Sequence, residues 1–526
     1  MPTPSEIRQA FPRDPWPHQE RGLIDTLKAL GSSSSVVVAS PTGAGKGLMQ
    51  SALLNLYQQY GKRAIIYNCR RMLTQQTSDR LEADGLSFGT RAASMKGQQD
   101  LMNRFQVASI QTDIARVLNQ QVWDIHDADY VIVDEAHLVA SQKALELFQM
   151  YLSRGAKLIG FTGTPLGISH LYKDIVVAGT NSELRACGAH VPAKVYAVHE
   201  MDTSKIKPVK TGEFTEGDIR KECWSQAIVG HIYNDYRRLN PDGKPALVAA
   251  PGIGESVWVQ EQFREKGHKV AHIDCREVIV NGERYANDPE GNVREQVLND
   301  MRKGEFDVLC NCEVIQQGVD IPNLAHLILA RPYGSLANCI QVYGRVIRYS
   351  ESTPDQVVVQ DHGGNWLRHG SPNEDRDWAK LFHMTDKEIA EEREKSLSEE
   401  SEPEPITCVK CGAVRLSGNR CHECGFMSDK RERVIVQQDG QLQLVEGKAY
   451  KKKERKPEKS KEQKQWDKVF FSSRNSRSNK AMTFKAAAKV YERNYGEPLP
   501  NDLKYLPRHR EDWGRRIRDV DWRDLR

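Results

Sequence analysis

The chain has 526 residues, a formal net charge of +4 and charged side chains at 28% of its positions. At roughly 150 residues per domain, this length predicts three or four domains, and the near balance of charges excludes any argument about partners from overall charge. The sequence has no apolar run of the ~20 residues that a bilayer span needs. Its first residues, MPTPSEIRQAF, lack the basic and apolar regions of an export signal. We therefore expect a soluble, cytoplasmic protein without membrane partners, whose cysteines are reduced or metal-bound.

Short apolar runs alternate with helical patterns along the first third of the chain. This alternation predicts a parallel sheet covered by helices, and hence an α/β fold. The runs are Val36–Ala39, Ala64–Tyr67, Val107–Ile110, Tyr130–Val133 and Leu158–Phe161. After a less regular stretch at 166–240, a second series predicts a second parallel sheet. It comprises Ala246–Ala250, Val270–Ile273, Val308–Cys312, Leu324–Ala330 and Gln356–Gln360.

The composition changes after residue 380. An acidic, serine-rich segment ends in Pro403 and Pro405 and is typical of a linker. A cysteine cluster follows at 408–424, then a hairpin pattern at Arg433–Val445 and a lysine-rich tract at Lys448–Lys468. The remaining residues regain aromatics and alanines, which predicts a small basic, mainly helical module.

A glycine-rich loop follows the first apolar run and precedes a helical pattern. In this context, successive backbone N–H groups and a helix N-terminus cradle phosphates, and the lysine reaches the β- and γ-phosphate oxygens of ATP. A glycine turn that carries a lysine by chance is the alternative, and the strand–loop–helix context argues against it. The residues expected to hold the nucleotide are Thr42, Gly43, Ala44, Gly45, Lys46 and Gly47.

This loop departs from the general phosphate-loop pattern at its two ends. Ser40 stands where the pattern has glycine, and Gly47 stands where it has serine or threonine. The missing hydroxyl at Gly47 is normally a Mg²⁺ ligand. We therefore expect an ATPase with an unusual magnesium site, in which water replaces the hydroxyl or the metal binds more weakly.

Two carboxylates, Asp134 and Glu135, follow the buried run Tyr130–Val133. In open α/β sheets, ligands bind at the carboxyl ends of the strands. The chemistry of ATP hydrolysis needs one carboxylate on Mg²⁺ and another that orients and deprotonates the attacking water. We assign these roles to Asp134 and Glu135 respectively.

The Asp-Glu-Ala-His box at Asp134–His137 resembles motif II of superfamily 2 helicases, and other segments resemble that family's remaining motifs in the same order. They are Asn68–Gln76 (motif Ia), Ser109–Thr112 (Ib), Thr162–Pro165 (III), Pro251–Ser256 (IV), Gln316–Pro322 (V) and Gln341–Arg348 (VI). The resemblance covers about residues 11–365 and implies two RecA-like P-loop domains that close on one ATP. In the family, motifs Ia and Ib contact the nucleic-acid backbone, and motif III couples the ATP state to strand binding.

Motif VI has a physical rationale of its own, because hydrolysis needs planar cations where charge develops on the γ-phosphate. Arg345 and Arg348 are three residues apart, so on a helix they would share one face. The resemblance implies that they are arginine fingers and that Gln341 lies near the γ-phosphate. It also places Gly318 and Asp320 of motif V among the nucleotide-binding residues.

Trp16-Pro17-His18-Gln19 resembles the adenine-reading segment of the family, which implies that Gln19 bonds the adenine edge. Within the superfamily, the chain looks most similar to RadD-like helicases, which also place zinc cysteines after the second RecA-like domain. Asp361–Asn365 closes the second domain much as a similar segment does in that group. The predicted regions are 1–180 (first RecA-like domain), 181–240 (connector), 241–380 (second RecA-like domain), 381–405 (acidic linker), 406–446 (zinc module) and 447–526 (basic tail with a helical module).

Two Cys-x-x-Cys-Gly knuckles lie in the cysteine cluster. Each places two thiolates on a tight turn, so together they predict one structural, tetrahedral zinc site, a zinc knuckle with four cysteine ligands. A redox disulfide or chance spacing are the alternatives. The ligands would be Cys408, Cys411, Cys421 and Cys424.

These observations predict an ATP-dependent DNA helicase or translocase that acts in replication, recombination or repair. Its cofactors would be ATP, Mg²⁺ and Zn²⁺. Its partners would be single-stranded or branched DNA, together with single-strand-binding or replication and recombination proteins. An RNA motor, or a nucleic-acid-binding protein with a weakened ATPase, are the alternatives. The basic tail, including Trp513–Arg518, can neutralise phosphates and stack on bases, although a solvated tail would have the same composition.

Overall fold

The computed structural model describes most of the chain up to residue 392 and short stretches after it. The described residues are 2–95, 99–139, 141–197, 213–215, 217, 219, 226–286, 292–312, 321–385, 388–389, 391–392, 406–407, 414–415, 443–445, 465 and 484–498. The chain divides into two compact units, Met1–Lys451 and Lys452–Arg526. The predicted zinc ligands, most of motif V with Gly318 and Asp320, and most of the basic tail lie outside the described residues.

The first domain is built on a seven-stranded sheet. Its strands are β1 (Ser35–Ala39), β2 (Ala64–Asn68), β3 (Gly89–Arg91), β4 (Phe105–Ser109), β5 (Tyr130–Asp134), β6 (Lys157–Thr162) and β7 (Asp174–Val177). They are all parallel, in the order β3-β4-β2-β5-β6-β1-β7. The expected α/β fold with a parallel sheet is thus confirmed for this domain.

Helices cover both faces of this sheet. They are α1 (Pro4–Gln9), α2 (Pro17–Ser32), α3 (Lys46–Gln59), α4 (Arg71–Ala83), α5 (Ile110–Asp113), α6 (Gln142–Ser153) and α7 (Asn181–Ala186), with a π-helical turn at Ile114–Asn119 and a 3₁₀ turn at Ala136–Leu138. Along β1, Val36 and Val38 belong to the core on one face and Val37 to the core on the other. Burial on both faces is the reason that the strands are continuous apolar runs in the sequence.

The second domain contains a nine-stranded sheet. Its strands are β8 (Ala193–Ala197), β9 (Ala246–Ala249), β10 (Val270–Ile273), β11 (Glu277–Val280), β12 (Glu283–Ala286), β13 (Val308–Asn311), β14 (His326–Leu329), β15 (Val357–Asp361) and β18 (Gln443–Val445), while β16 (Ile406–Thr407) pairs only with β17 (Val414–Arg415). The order is β12-β11-β10-β13-β9-β14-β15-β8-β18. The six inner strands from β10 to β8 are parallel, as expected.

Three features of this sheet differ from the sequence prediction. β8, inside the predicted connector, pairs in parallel with β15, so the second sheet takes in residues well before 241. β11 and β12 form an antiparallel hairpin on β10 that the sequence pattern did not predict. The predicted hairpin at Arg433–Val445 is described only at β18, and this strand pairs antiparallel with β8, which would otherwise be an open sheet edge.

The helices of the second domain are α8 (Gln226–Leu239), α9 (Ile253–Glu265), α10 (Asn292–Arg302), α11 (Leu336–Tyr343), α12 (Asn365–His369) and α13 (Trp378–Leu381). As in the first domain, alternate strand residues such as Leu327 and Ile328 enter the cores on opposite faces. In the second unit, α14 (Phe484–Tyr495) carries Tyr491, whose hydroxyl donates to Gln465 Oε1 at 3.1 Å. No helix in the described part of the chain is both long and apolar enough to cross a membrane.

Candidate nucleotide-binding site

The glycine-rich loop connects β1 to α3. Gly43 and Gly45 have φ angles of +89° and +76°, in the left-handed region that favours glycine. Gly45 is the residue before the first turn of α3, which begins at Lys46. At the start of the loop, the Ser40 N–H donates to the Thr162 carbonyl at 2.9 Å. The loop therefore has the strand–turn–helix geometry in which backbone N–H groups can bind phosphates.

Gln19 supports this loop from outside. Its Nε2 donates to the Ala44 carbonyl at 2.8 Å, and its Oε1 accepts the Trp16 N–H at 2.9 Å. Only 2% of Gln19 is exposed, and a Cβ on Gly45 would collide with its amide nitrogen. The side chain predicted to bond adenine thus also fixes the shape of the phosphate loop.

The two motif II carboxylates diverge at the end of β5. Glu135 leaves the strand in a left-handed conformation, with φ of +46°, and its Oε1 lies 3.3 Å from Lys46 Nζ. Asp134 Oδ1 instead accepts a hydrogen bond from Gln50 Nε2 on α3 at 2.9 Å. The structure therefore brings Lys46, Asp134 and Glu135 together beside the loop, with each carboxylate held by a different partner.

Burial and neighbouring charges shift the pKa values of Asp134, Glu135 and His137 in different directions. Burial raises the pKa of Asp134, and the adjacent Glu135 raises it further. Burial also acts to raise the pKa of Glu135, but Lys46 and then His137 more than offset this, so that its pKa lies below the usual value. Burial lowers the pKa of His137 to about 4. At neutral pH, His137 is therefore uncharged and Glu135 is ionised, as a general base must be.

Residues of the second domain lie directly on the phosphate loop. His190 Nε2 donates to the Thr42 carbonyl at 2.6 Å. A Cβ on Gly344 would lie 2.8 Å from Thr42 Cβ, and a Cβ on Gly43 would lie 3.0 Å from Arg348 Cγ. The loop is thus enclosed by both domains, and a nucleotide bound to it would contact both.

The prediction that Arg345 and Arg348 share a helix face is wrong. Helix α11 ends at Tyr343, and Arg345 lies in the turn that follows. Arg348 pairs with His190 through its backbone, in an isolated antiparallel β-bridge. Gly344, the first residue after the helix, packs on the phosphate loop so closely that a side chain there would collide with Thr42. Arg345 is nevertheless close enough to Glu135 to help lower its pKa.

A series of hydrogen bonds leads from motif II to motif VI. His137 Nδ1 and Thr162 Oγ1 share a hydrogen bond of 2.8 Å, and Thr162 Oγ1 also accepts the Thr164 N–H at 3.0 Å. Gln341 Nε2, from the second domain, lies 3.5 Å from Thr164 Oγ1, at the long limit for a hydrogen bond. Gln341 therefore contacts motif III, and the series connects His137 of motif II to the second domain.

Motifs Ia and Ib meet at the carboxyl ends of the neighbouring strands β2 and β4. Gln111 Nε2 donates to the Cys69 carbonyl at 2.8 Å and joins the two segments. Arg70, Arg71 and Gln75 are exposed beside this junction. The arrangement forms a polar surface on the first domain that carries two exposed arginines.

Three further side chains at this site were not predicted. Gln50 and Arg80 extend the contacts of Asp134, since Arg80 Nη2 donates to Gln50 Oε1 at 2.8 Å. His190 supports the loop from the second domain. The sequence offered one indication of such a neighbour, at Gly47. A glycine in place of the usual serine or threonine leaves a volume that another side chain can fill.

The oxygen atoms at this site fit a Mg²⁺ ion, which favours carboxylate and hydroxyl ligands. Glu135 Oε2 and Thr42 Oγ1 are buried and make no hydrogen bond within the described part of the chain. Asp134 is the carboxylate that would hold the ion, and Gly47 offers no side-chain ligand. The described residues, this site included, contain no cluster of three or more histidine, cysteine or acidic side chains that could hold a metal on their own.

Comparison with known proteins agrees with these features. The family model of the type III restriction enzyme res subunit matches residues 14–167, and that of the helicase conserved C-terminal domain matches residues 248–350. The 51.5 kDa protein of Lactococcus phage (isolate 7-9) is 24% identical over 419 residues, which are 78% of this chain and 82% of that protein.

Two further proteins are similar to this chain over a smaller share of their own length. The ATP-dependent DNA helicase RecG of Escherichia coli K12 is 22% identical over 357 residues, 65% of this chain and 48% of RecG, so this chain spans about half of that relative. A fragment assigned as the HsdR subunit of a type I restriction enzyme from Vibrio vulnificus YJ016 shares the fold. It has a TM-score of 0.50 and 15% identity, and the match covers 68% of this chain and 65% of that fragment.

The two matched domains, in this order around one phosphate loop, define a nucleic-acid helicase core. These matches support a superfamily 2 helicase, an ATP-dependent enzyme.

Proposed function

We propose that the chain is an ATP-dependent DNA helicase or translocase that couples ATP hydrolysis to movement on DNA. The observation that carries the proposal is the contact of His190, Gly344 and Arg348 with the phosphate loop of the other domain. A nucleotide between two domains changes their contacts when its γ-phosphate is lost, and repeated closing and opening moves a strand.

Each charged group at the site has a role in this proposal. Lys46 neutralises the β- and γ-phosphates, and Glu135 orients the attacking water and accepts its proton. Arg345 and Arg348 place guanidinium groups where negative charge develops in the transition state. The lowered pKa of Glu135 supports its part, because the base must be ionised at neutral pH.

Asp134 would hold Mg²⁺ in this scheme, either directly or through water. When bound, the ion neutralises phosphate charge during phosphoryl transfer. Gln50 keeps one oxygen of Asp134 occupied, which fixes the direction of the other.

Gln341 and the adjoining motif III threonine would report the state of the nucleotide to the second domain. The series His137, Thr162, Thr164 and Gln341 starts beside Glu135 and ends across the domain boundary. Loss of the γ-phosphate would weaken this series and release the domains.

We favour DNA over RNA as the track. RecG, a relative over 65% of this chain, is described as a DNA helicase, and the first domain matches a restriction-enzyme family. The exposed surface with Arg70, Arg71 and Gln75 would contact the phosphate backbone, which carries no base sequence information. Replication, recombination or repair are the pathways that fit, with single-strand-binding proteins among the partners.

The assay that tests this proposal is ATP hydrolysis without polymer, with single-stranded DNA, with duplex or branched DNA, and with RNA. We expect DNA to stimulate hydrolysis and Lys46→Ala to abolish it. Stimulation by RNA alone would replace DNA with RNA as the track. Absence of hydrolysis under every condition would favour a binding protein whose ATPase has decayed.

We also propose that the four cysteines after the second domain, as in RadD-like helicases, hold one structural zinc ion. We expect metal analysis of the purified full chain to give about one zinc per chain. Combined Cys408→Ser and Cys421→Ser substitution should remove the zinc, because it takes one ligand from each knuckle. A folded wild-type chain without zinc would contradict this proposal.

A further inference from the structure

The space beside Gly47 is filled by a side chain from a different helix. An ideal Cβ on Gly47 would lie 2.9 Å from Arg80 Cζ, and closer still to Arg80 Nη1. Gly47 follows the phosphate-loop lysine, where the usual serine or threonine would point its hydroxyl at the metal. The guanidinium of Arg80, on α4, therefore occupies the volume that this side chain would take.

Arg80 is connected to the motif II aspartate through one intermediate residue. Its Nη2 donates to Gln50 Oε1 at 2.8 Å, and Gln50 Nε2 donates to Asp134 Oδ1 at 2.9 Å. The cation thereby sets the orientation of the Gln50 amide, since the amide oxygen must face the guanidinium and the NH2 group must face the carboxylate. Gln50 is fully buried, and its two partners, Arg80 and Asp134, are partly buried.

Burying this guanidinium has a cost that packing alone does not justify. Its Nε is buried and makes no hydrogen bond to any described residue, and burial lowers the pKa of Arg80 while the charges of Asp134 and then Asp84 partly offset this. A buried cation whose carboxylate partner lies beyond an intervening amide is costly compared with an apolar side chain of the same size.

We propose that Arg80 is a positioning residue for Mg²⁺, which takes over the task of the absent phosphate-loop hydroxyl. Through Gln50 it holds Asp134 in one orientation and leaves the other carboxylate oxygen for the metal. Gly47 and Arg80 then form a matched pair, because any side chain at 47 displaces the guanidinium. The inference rests on the proposed ATP site, and it adds a residue outside all the helicase motifs identified in the sequence.

The test is Mg²⁺-dependent binding of a fluorescent ADP analogue to the full chain, titrated with Mg²⁺ and repeated in EDTA. Arg80→Met keeps the length of the side chain and removes its charge. We expect it to raise the half-saturating Mg²⁺ concentration about tenfold, as the loss of a residue that orients a metal ligand does. Affinity in EDTA should change less than twofold. The matched control is Arg154→Met, since Arg154 is exposed just after α6, and this variant should behave as wild type.

A second variant tests the pairing without altering Arg80. Gly47 lies in α3 at an ordinary φ, so alanine is compatible with the backbone. Gly47→Ala should displace the guanidinium and reproduce the Mg²⁺ defect of Arg80→Met, and the two changes combined should be no worse than Arg80→Met alone. Gly47→Thr should also impair Mg²⁺ binding, and Arg80→Ala in addition should restore it, because the threonine hydroxyl then has room.

The outcomes separate this inference from the proposed function. If the wild-type chain binds no nucleotide at any Mg²⁺ concentration, the ATP site itself is refuted, and the inference with it. If the wild-type chain binds in a Mg²⁺-dependent manner but Arg80→Met leaves the half-saturating concentration within twofold, only the inference is overturned. Tighter Mg²⁺ binding by Gly47→Thr with Arg80 intact would overturn it as well. Circular dichroism of each variant confirms that the binding data refer to folded protein.

Discussion

The Gln19 side chain uses one amide N–H and one oxygen lone pair inside the protein, on Ala44 and Trp16. One N–H and one lone pair remain, and these are the groups that could read the adenine edge. The same side chain can therefore brace the loop and select the base. The two roles predict different losses of ATP and GTP affinity when the amide is removed.

We predict that Gln19→Ala weakens binding of both ATP and GTP, and weakens ATP more. The shared loss comes from the Ala44 carbonyl, which keeps only its 3.2 Å bond from His18 Nε2, and amounts to ~1 kcal/mol or about fivefold. The additional loss for ATP comes from the adenine contact. Isothermal titration with each nucleotide measures both. Unchanged GTP binding would argue against the bracing role, whereas equal losses would argue against adenine reading. Gln59→Ala, at the exposed end of α3, is the matched control.

At the residue level, the sequence predicted what local patterns encode. Lys46, Asp134 and Glu135 were found because each follows a strand in a recognisable segment, and the structure brings them together. Arg80 and His190 could not be found in this way. They reach the loop by tertiary packing from distant parts of the chain, which no local spacing records.

At the level of elements, the contact between Thr164 and Gln341 is the hydrogen bond through which motif III touches motif VI. We predict that Thr164→Val, which removes the hydroxyl but keeps the shape, lowers polymer-stimulated ATP hydrolysis about fivefold, the equivalent of ~1 kcal/mol. Nucleotide affinity should stay within twofold, because Thr164 does not support the loop. Thr164→Ser keeps the hydroxyl and should retain most of the stimulation. Equal rates for the valine and serine variants would exclude a coupling role for this hydroxyl.

Strands β14 and β15 carry a buried polar network beneath α8. His326 Nε2 donates to Gln360 Oε1 at 3.0 Å, and Gln360 Nε2 donates to His362 Nε2 at 2.7 Å and to the Ile232 carbonyl. Both imidazoles are neutral in this arrangement. Burial lowers the pKa of His326 to about 4 and that of His362 to about 3.

This network predicts acid sensitivity of the second domain. The unfolded chain binds protons at a histidine pKa of ~6.5 and the folded chain does not. The contribution of each neutral histidine to the free energy of unfolding is thus fully present above pH 6.5. It is lost as the pH falls towards 4, by up to about 3 kcal/mol per histidine. Thermal melting from pH 8 to pH 5 should show this loss. His362→Asn should start less stable and fall less steeply, while the exposed His383→Asn should follow wild type. If the melting temperatures of wild type and His362→Asn fall in parallel with pH, His362 is not a source of the acid sensitivity.

The elements themselves were predictable to different degrees. Runs such as Tyr130–Val133 became strands because both faces of a parallel sheet are apolar, and this leaves a clear signal. The hairpin of β11 and β12 left none, since β12 is exposed throughout and has no apolar alternation. The end of α11 at Tyr343 coincides with the close approach of Gly344 to Thr42 of the other domain, and this approach is a property of the assembled fold.

On the scale of the whole molecule, acidic and basic residues nearly balance in the two RecA-like domains. Basic residues predominate from Lys448 onwards. Lys448–Lys468 and the arginines that follow lie beyond β18, the last strand of the second sheet. Truncation after residue 447 therefore leaves the pairing of β18 with β8 intact. This boundary allows the tail to be removed without breaking either sheet.

We predict that the chain truncated after residue 447 hydrolyses ATP but binds single-stranded DNA more weakly and with a flatter salt dependence. Each lost phosphate contact reduces the slope of log K against log salt by about 0.7 for a single strand. Fluorescence anisotropy across a salt titration measures this slope. Replacing Lys451, Lys452 and Lys453 by glutamine should give a smaller change of the same sign, and replacing them by arginine should give none. If the truncated chain keeps the wild-type affinity at low salt, the tail is a solvated segment and the DNA contacts lie on the motor core, where Arg70 and Arg71 are the first residues to substitute.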